Sequence, residues 1–252
     1  MAQLAGKVAL VTGGAKSIGR TFAQGLAQAG ANIVIADIAE GETTAKEIAT
    51  GFGVAAIFVK CDVSDETQVR QLIAAAIAKF GRIDILVNNA AYFAAMPLHP
   101  AHELPVELWD KVMAVNVRGS FLTAKHAAPH MMKAKSGKII NISSGTAYKG
   151  MPDMAAYVAS KAAVLGLTRT LAREFGPHGI NVNTLAPGLI ESESLLENPR
   201  HLAPTERILA SRAIARKGLP RDLVGGLLFL ASPASDFMTG QTLAIDGGSI
   251  NT

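Results

Sequence analysis

Residues 7–37 read KVALVTGGAKSIGRTFAQGLAQAGANIVIAD, and the order of patterns within them decides the fold. Lys7 to Thr12 is an unbroken apolar run of strand length, as expected for a strand buried on both faces. TGGAKSIG (Thr12–Gly19) follows, then a helical pattern through Ala29 that stops at Gly30. NIVIAD (Asn32–Asp37) is a second strand, ending in a carboxylate. Strand, glycine-rich turn, helix, strand and acid in this order describe a dinucleotide-binding βαβ unit. Glycine lets the backbone approach a pyrophosphate, and the helix N-terminus supplies N–H groups and a favourable dipole. Asp37, 18 residues beyond Gly19, stands where an acid accepts ribose hydroxyls. A Walker A reading fails, because no glycine immediately precedes Lys16.

Outward from this unit the alternation continues. Val54–Lys60 is a strand with Asp62 just beyond it, and Ser64 caps a helix over Asp65–Phe80. Ile83–Val87 is a fourth strand leading into Asn88-Asn89-Ala90, and helical patterns fill Val106–Val115 and Gly119–Lys133. Lys138–Ile142 is a fifth strand, followed by a helix containing Tyr157 that runs to about Gly176. Ile180–Leu185 is a sixth, closed by Ala186-Pro187-Gly188; a helix over Asp222–Ala231 and a strand over Thr242–Ile245 end the pattern. The expectation is one α/β domain over residues 1–252, a Rossmann-type doubly wound parallel sheet of about seven strands with helices on both faces. Between Leu189 and Pro220 the pattern weakens. A break of that length after a strand's carboxyl end reads as a substrate lid, the alternative being an ordinary surface helix pair.

With 49% apolar and 17% charged residues, the chain can bury a sizeable core and is not disordered. The 24 basic residues give a net charge of +4 but are scattered without interleaved aromatics, which excludes nucleic acid as the expected partner. The lone cysteine, Cys61, reads as a small core residue and agrees with a reducing compartment. No basic leader followed by a long apolar segment is present, and no run approaches a membrane span, so a soluble cytoplasmic protein is expected.

The chemistry concentrates in NISSGTAYKGMPDMAAYVASK (Asn141–Lys161). Tyr157 and Lys161 are four residues apart and share one helix face. A free phenol titrates near 10, too high for a base at neutral pH, and a neighbouring ammonium lowers it. Ser144 follows the fifth strand, where its hydroxyl can face that helix across a cleft. A buried tyrosine beside a solvated lysine would give the same spacing, so YxxxK by itself does not decide the matter. Six histidines form no HExxH, and His126 and His130, though four apart, have no carboxylate or cysteine nearby in sequence, so no metal is expected. Ser144 lacks the G-x-S-x-G context of a hydrolase nucleophile.

Taken together, TGGAKSIG, Asp37, CDV (Cys61–Val63), NNA (Asn88–Ala90), Asn116, Ser144, YVASK and the Pro187-Gly188 turn resemble the short-chain dehydrogenase/reductase family over essentially the whole length. The C-terminal TGQTLAIDGG also fits. Two positions depart from the family pattern: Ser17 replaces the middle glycine of TGxxxGxG, and Ala91 replaces the glycine that usually follows NNA. Serine costs some conformational freedom there but offers a hydroxyl to a phosphate or ribose.

The resemblance implies that Tyr157 is the general acid/base, while Lys161 lowers its pKa and holds the nicotinamide ribose. It further implies that Ser144 orients the substrate oxygen and that Asn116 anchors a water chain from Lys161 to solvent. Gly13, Lys16, Ser17, Ile18 and Gly19 would form the cofactor turn. Asp37 and Ile38 would meet the adenine ribose, Asp62 and Val63 would flank adenine, and Asn89 with Ala90 would sit behind the ribose. Pro187, Gly188, Ile190 and Ser192 would contact the nicotinamide side. Asp37 favours NAD by repelling a 2′-phosphate, although a base at Lys16 often marks NADP enzymes of the family; Lys16 can swing to solvent.

Tyr92, Phe93, Met96, Thr146, Tyr148, Met151, Met154, Leu189, Leu195 and Leu196 suggest an apolar pocket for a cyclic or aromatic secondary alcohol or ketone. The leading expectation is an NAD-dependent alcohol dehydrogenase. Short segments also resemble bacterial pyridoxal 4-dehydrogenases, and NADPH-dependent 3-oxoacyl carrier reductases share the same landmarks. A non-catalytic NAD(H) sensor is the reading from another class. The family implies a homotetramer through helices near 105–133 and 155–176 and the C-terminus.

Overall fold

The computed structural model describes residues 3–197 and 205–250. Its first half runs β1 (Val8–Thr12), α1 (Ser17–Gln28), β2 (Asn32–Asp37), α2 (Glu42–Phe52), β3 (Ala56–Lys60), α3 (Glu66–Phe80) and β4 (Ile85–Asn88). Next come α4 (Val106–Met113), α5 (Gly119–Ala134), β5 (Gly137–Ile142), α6 (Thr146–Lys149), α7 (Ala155–Phe175) and β6 (Ile180–Pro187). The last elements are α8 (Glu193–Leu196), α9 (Thr205–Ala210), α10 (Val224–Ala231) and β7 (Thr242–Ile245). The strands form one parallel sheet in the order β3-β2-β1-β4-β5-β6-β7. Strand order reverses between β1 and β4, which opens a crevice at the carboxyl ends where such sheets bind ligands.

Alternation along the strands feeds two cores. Ala9, Val11, Ile33 and Ile35 pack with Phe22, Leu26, Leu227 and Leu230 on one face. Leu10, Val34 and Leu86 pack with Leu72, Ala127, Met131 and Leu171 on the other. Apolar cover on both faces is why these strands read as continuous apolar runs.

Several local expectations are corrected. Helix α2 is absent from the sequence reading; its buried positions are only Thr44, Ala45 and Ile48, too few for a clear stripe. Asp65, not Ser64, caps α3: its Oδ1 accepts the N–H groups of Thr67 at 2.8 Å and Gln68 at 3.2 Å. The Ser64 hydroxyl turns instead to Asp62 Oδ1 at 2.7 Å. Strand ends shift by one or two residues, with β6 running on to Pro187. The segments near 106–115 and 119–133 are one run, joined by a π turn over Ala114–Arg118. Such a turn accommodates an extra residue without ending the helix and often marks a functional position; here it holds Asn116, which is buried.

The segment over 189–220 leaves and rejoins the body through a closed neck. Ile190 bridges Gly218, and Glu191 N–H donates to Gly218 O at 2.7 Å. The buried Arg212 guanidinium donates to Leu189 O at 2.6 Å and Arg216 O at 2.7 Å, tying both sides. Within the expected lid of 189–220, residues 198–204 lie outside the described residues.

Candidate active site

The glycine turn is shaped by contacts that leave no room for side chains. Gly13 adopts φ +64°, and an added Cβ would lie 2.9 Å from Ala90 Cα. At Gly19 a Cβ would sit 1.9 Å from Gly13 O. Asn89 clamps the turn, its Nδ2 donating to Thr12 O at 2.9 Å and Gly13 O at 3.0 Å. The Thr12 hydroxyl accepts the N–H groups of Asn89 and Ala90 at 3.0 and 3.1 Å. Ser17 takes φ +58°, a left-handed conformation that costs a residue with a Cβ about 1–2 kcal/mol. Ile18 packs down against the core. The first turn of α1 faces the crevice with N–H groups that no helical carbonyl can satisfy.

Asp37 stands at the end of β2 beside this turn. Its Oδ2 accepts Ala15 N–H and its Oδ1 accepts Ala39 N–H, both at 3.0 Å. Each oxygen keeps a further lone pair for a hydroxyl donor. Ile38 beside it is exposed and brings no cation. Asp62 is held by Ser64, and Val63 is buried against Gly119. A dinucleotide therefore fits this end of the crevice: a close-approach turn, a helix N-terminus and a carboxylate lie side by side.

Helix α8 is fastened to the same turn. Arg20 Nη2 lies 2.9 Å from a Glu193 oxygen, Lys16 Nζ lies 3.5 Å from Glu197, and Ser194 N–H approaches Ser17 Oγ at 3.4 Å. Lys16 thus faces the Glu197 carboxylate rather than only solvent. Ser192, buried at the start of α8, and Ile190, at the neck, follow Pro187 and Gly188 from the end of β6. Pro187 O accepts Gly145 N–H at 2.8 Å, bringing this turn against the Ser144 loop.

Tyr157 and Lys161 share one face of α7 and are both buried. Lys161 Nζ donates to Ile142 O at 2.8 Å and lies 5.7 Å from the centre of the Tyr157 ring. Ser143 Oγ donates to Lys161 O at 2.7 Å, locking α7 to the end of β5. Phe93 packs on Tyr157 with ring centres 4.8 Å apart. Asn116 Oδ1 accepts Tyr92 N–H at 2.7 Å and its Nδ2 donates to Ser160 Oγ at 2.9 Å, so it braces α7 from the π turn.

Burial pushes the Tyr157 phenol up to about 12, opposed by the neighbouring Ser144 hydroxyl, which pulls it down. Burial also brings Lys161 down to about 8. The Lys161 ammonium lies over the ring, with its own hydrogen bond to Ile142 O.

Tyr92, Phe93, Met96, Met151 and Met154 gather with Tyr157 in one apolar cluster. Tyr148 does not join it; it lines a separate cavity with Arg169, Arg173 and Gln241. Leu195 is buried and Leu196 is largely exposed. His126 does meet a carboxylate, Glu66 at 2.9 Å, which also pairs with Lys125. Among the described residues no group of three His, Cys, Asp or Glu side chains could hold a metal ion.

A buried polar chain beneath the site escaped the sequence reading. Asn88 Nδ2 donates to Asn141 Oδ1 at 2.8 Å, Asn141 Nδ2 to Thr168 at 2.9 Å, and Thr184 to Thr168 at 2.9 Å. Thr123 closes it on Asn88 Oδ1 at 2.6 Å. The available signal was three polar residues, Asn88, Asn141 and Thr184, in the strands β4, β5 and β6.

Comparison with known proteins adds the chemistry of relatives. The family model described as enoyl-(acyl carrier protein) reductase matches residues 13–249. A cis-4-hydroxycyclohexanecarboxylate dehydrogenase of Sinomonas cyclohexanicum is 39% identical, the match covering 96% of each chain. A gluconate 5-dehydrogenase from Burkholderia cenocepacia J2315, solved with NADP and tartrate, is 38% identical, with a TM-score of 0.90 over 98% of this chain and 96% of that one. A xylitol dehydrogenase solved with NAD+ is 31% identical, with a TM-score of 0.91 over 98% of this chain and 100% of that one.

Proposed function

The chain belongs to the short-chain dehydrogenase/reductase family of oxidoreductases acting on CH–OH groups, and on that premise we propose that it oxidises a cyclic or aromatic secondary alcohol with NAD. One observation carries the reading: the Tyr157 phenol, pulled down by Ser144 and sharing a buried helix face with Lys161, stands by the carboxyl end of β5, where Lys161 Nζ holds Ile142 O. A nicotinamide held there would supply the hydride acceptor for the carbinol carbon. Tyr157 takes the hydroxyl proton, and Ser144 donates a hydrogen bond to the substrate oxygen. Lys161 holds the nicotinamide ribose and passes the proton outward through water anchored at Asn116.

The preference for NAD rests on Asp37, whose carboxylate would repel a 2′-phosphate, on the exposed Ile38 beside it, and on the pairing of Lys16 with Glu197. The apolar cluster of Tyr92, Phe93, Met96, Met151 and Met154 supports a ring-shaped substrate over an open-chain polyol. We take residues 1–252 as one catalytic domain in which 189–220 covers the substrate. A cytoplasmic homotetramer is part of the proposal; the exposed Trp109 and Phe121 on α4 and α5 and Phe229 on α10 support assembly. Among the described residues no helix is long and apolar enough to cross a membrane.

The test is NADH and NADPH formation over a panel of cyclic, aromatic and open-chain secondary alcohols, with Tyr157→Phe as control. The expected result is turnover of ring alcohols with NAD, falling about 10²- to 10⁴-fold in the variant. Equal rates for wild type and Tyr157→Phe would defeat the proton route. NAD binding without turnover of any alcohol would favour a sensor, and preference for NADP would overturn the argument from Asp37.

A further inference from the structure

Ser144 is not alone at its end of the site. The Thr146 hydroxyl donates to Ser144 Oγ at 3.0 Å, and Thr146 N–H donates to the same oxygen at 3.2 Å. Both donors come from the first residue of α6, whose approach is fixed by the Gly145 N–H bond to Pro187 O at 2.8 Å. A hydroxyl oxygen has two lone pairs and one proton. With both lone pairs taken by Thr146, the remaining proton of Ser144 is directed away from Thr146, and the Ser144 hydroxyl is the group that pulls the Tyr157 phenol down. Accepting two donors also polarises the O–H bond and makes it a stronger donor.

We propose that Thr146 is a positioning residue for the reaction, fixing the direction of the Ser144 O–H so that it serves the Tyr157 and substrate oxygens. The inference rests on the roles given above to Ser144 and Tyr157. A hydroxyl free to rotate spends part of its time donating elsewhere, and every such orientation withholds a donor from the oxygen where negative charge develops. Charged groups near Tyr157 are few. Lys161 lies over its ring, and Lys111 of α4 rides 4.4 Å from the Tyr92 ring in the same cluster. Neither is bonded to the serine.

The test compares Thr146→Val, which keeps the backbone N–H and the shape but loses the hydroxyl, with Thr146→Ser, which restores it. In Thr146→Val we expect kcat about tenfold lower with little change in KM, about what one net hydrogen bond to a positioned group supplies. Thr146→Ser recovers most of that loss. The second readout needs no substrate: tyrosinate absorbance on raising pH, with and without NAD, counting only the signal that disappears in Tyr157→Phe. The Tyr157 signal should appear at higher pH in Thr146→Val and return toward wild type in Thr146→Ser, with thermal midpoints alike in all three. A purely structural threonine lowers the midpoint and leaves the titration in place, and that result overturns the inference. Equal titrations for Val and Ser overturn it as well. A wild type inactive on every alcohol defeats the dehydrogenase reading, while the titration still decides the part played by Thr146.

Discussion

Replacing Gly19 with alanine tests the glycine turn at its tightest point. Inside helix α1 the change would by propensity stabilise the helix by about 1 kcal/mol. The new methyl, however, would lie 1.9 Å from Gly13 O and 2.6 Å from Asn89 Nδ2. Carbon requires roughly 3.5 Å, so the turn must retreat by about 1.5 Å. That movement pulls Gly13 O away from Asn89 Nδ2, now 3.0 Å distant, and disturbs the companion bond to Thr12 O. Two bonds at about 1 kcal/mol each outweigh the helical gain, a net loss on the order of 1 kcal/mol. In a chain of this size that is a fall of about 2–4 °C in thermal midpoint. The effect on cofactor is larger, since misplacing a binding element by about 1 Å costs on the order of 10²-fold. The assay is NADH binding by fluorescence titration beside a thermal scan, with Gly51→Ala as control. Gly51 lies in α2 with nothing within 4 Å of its missing Cβ, so alanine there should raise the midpoint by a few degrees and leave NADH affinity alone. Wild-type affinity in Gly19→Ala would refute the close-packed turn.

Other perturbations have smaller or sharper signatures. Asp65→Ala removes the cap of α3 and should cost about 1 kcal/mol, read as a lower urea midpoint, with Ser64→Ala nearly silent. Arg20→Gln breaks an exposed pair with Glu193, so the KM for NAD should rise less than about threefold and lose its dependence on added salt. Lys161 is depressed from 10.5 to about 8 by burial, so the unfolded chain binds its proton where the folded one does not. Its contribution to stability therefore rises with pH between those values, and Lys161→Met should flatten that rise in urea midpoints. Tyr157, raised from 10.0 to about 12, acts in the opposite sense: stability falls across that interval, and Tyr157→Phe removes the fall.

The fold was legible because its signal is redundant. Strands covered on both faces leave long apolar runs, and β2 and β7 were located to the residue. Helix α2 was not, because a helix on the sheet's rim buries one narrow strip, and Glu42, Thr43 and Lys46 look like loop. The cap at Asp65 was misplaced by one residue because Ser64 and Asp65 are both good caps. Only geometry shows that Asp62 has already engaged the serine. In the site, the positions of Tyr157, Lys161, Ser144 and Asp37 could be read from spacing. What spacing does not carry is partner choice: Asn89 serves the turn, Asn116 serves α7, and Lys16 faces Glu197. Those contacts join residues far apart in the chain, so no local pattern announces them. The same holds for the Asn88–Asn141–Thr168 chain, whose members look like isolated exceptions until three elements are brought together.

The phenol illustrates how far proximity and interaction can differ. Four residues of helix bring an ammonium to the face of the Tyr157 ring, and a sequence reading converts that nearness into acidity. Yet Lys161 spends a hydrogen bond on Ile142 O, and burial of the same helix face raises the phenol while it lowers the amine. Burial therefore works against Tyr157 in the proton-acceptor role proposed for it. The Ser144 hydroxyl opposes this penalty by pulling the phenol down. Its own oxygen is in turn held by two donors from Thr146. If Tyr157 is the acid–base group, its competence depends on the Thr146–Ser144 pair as well as on the tyrosine–lysine spacing.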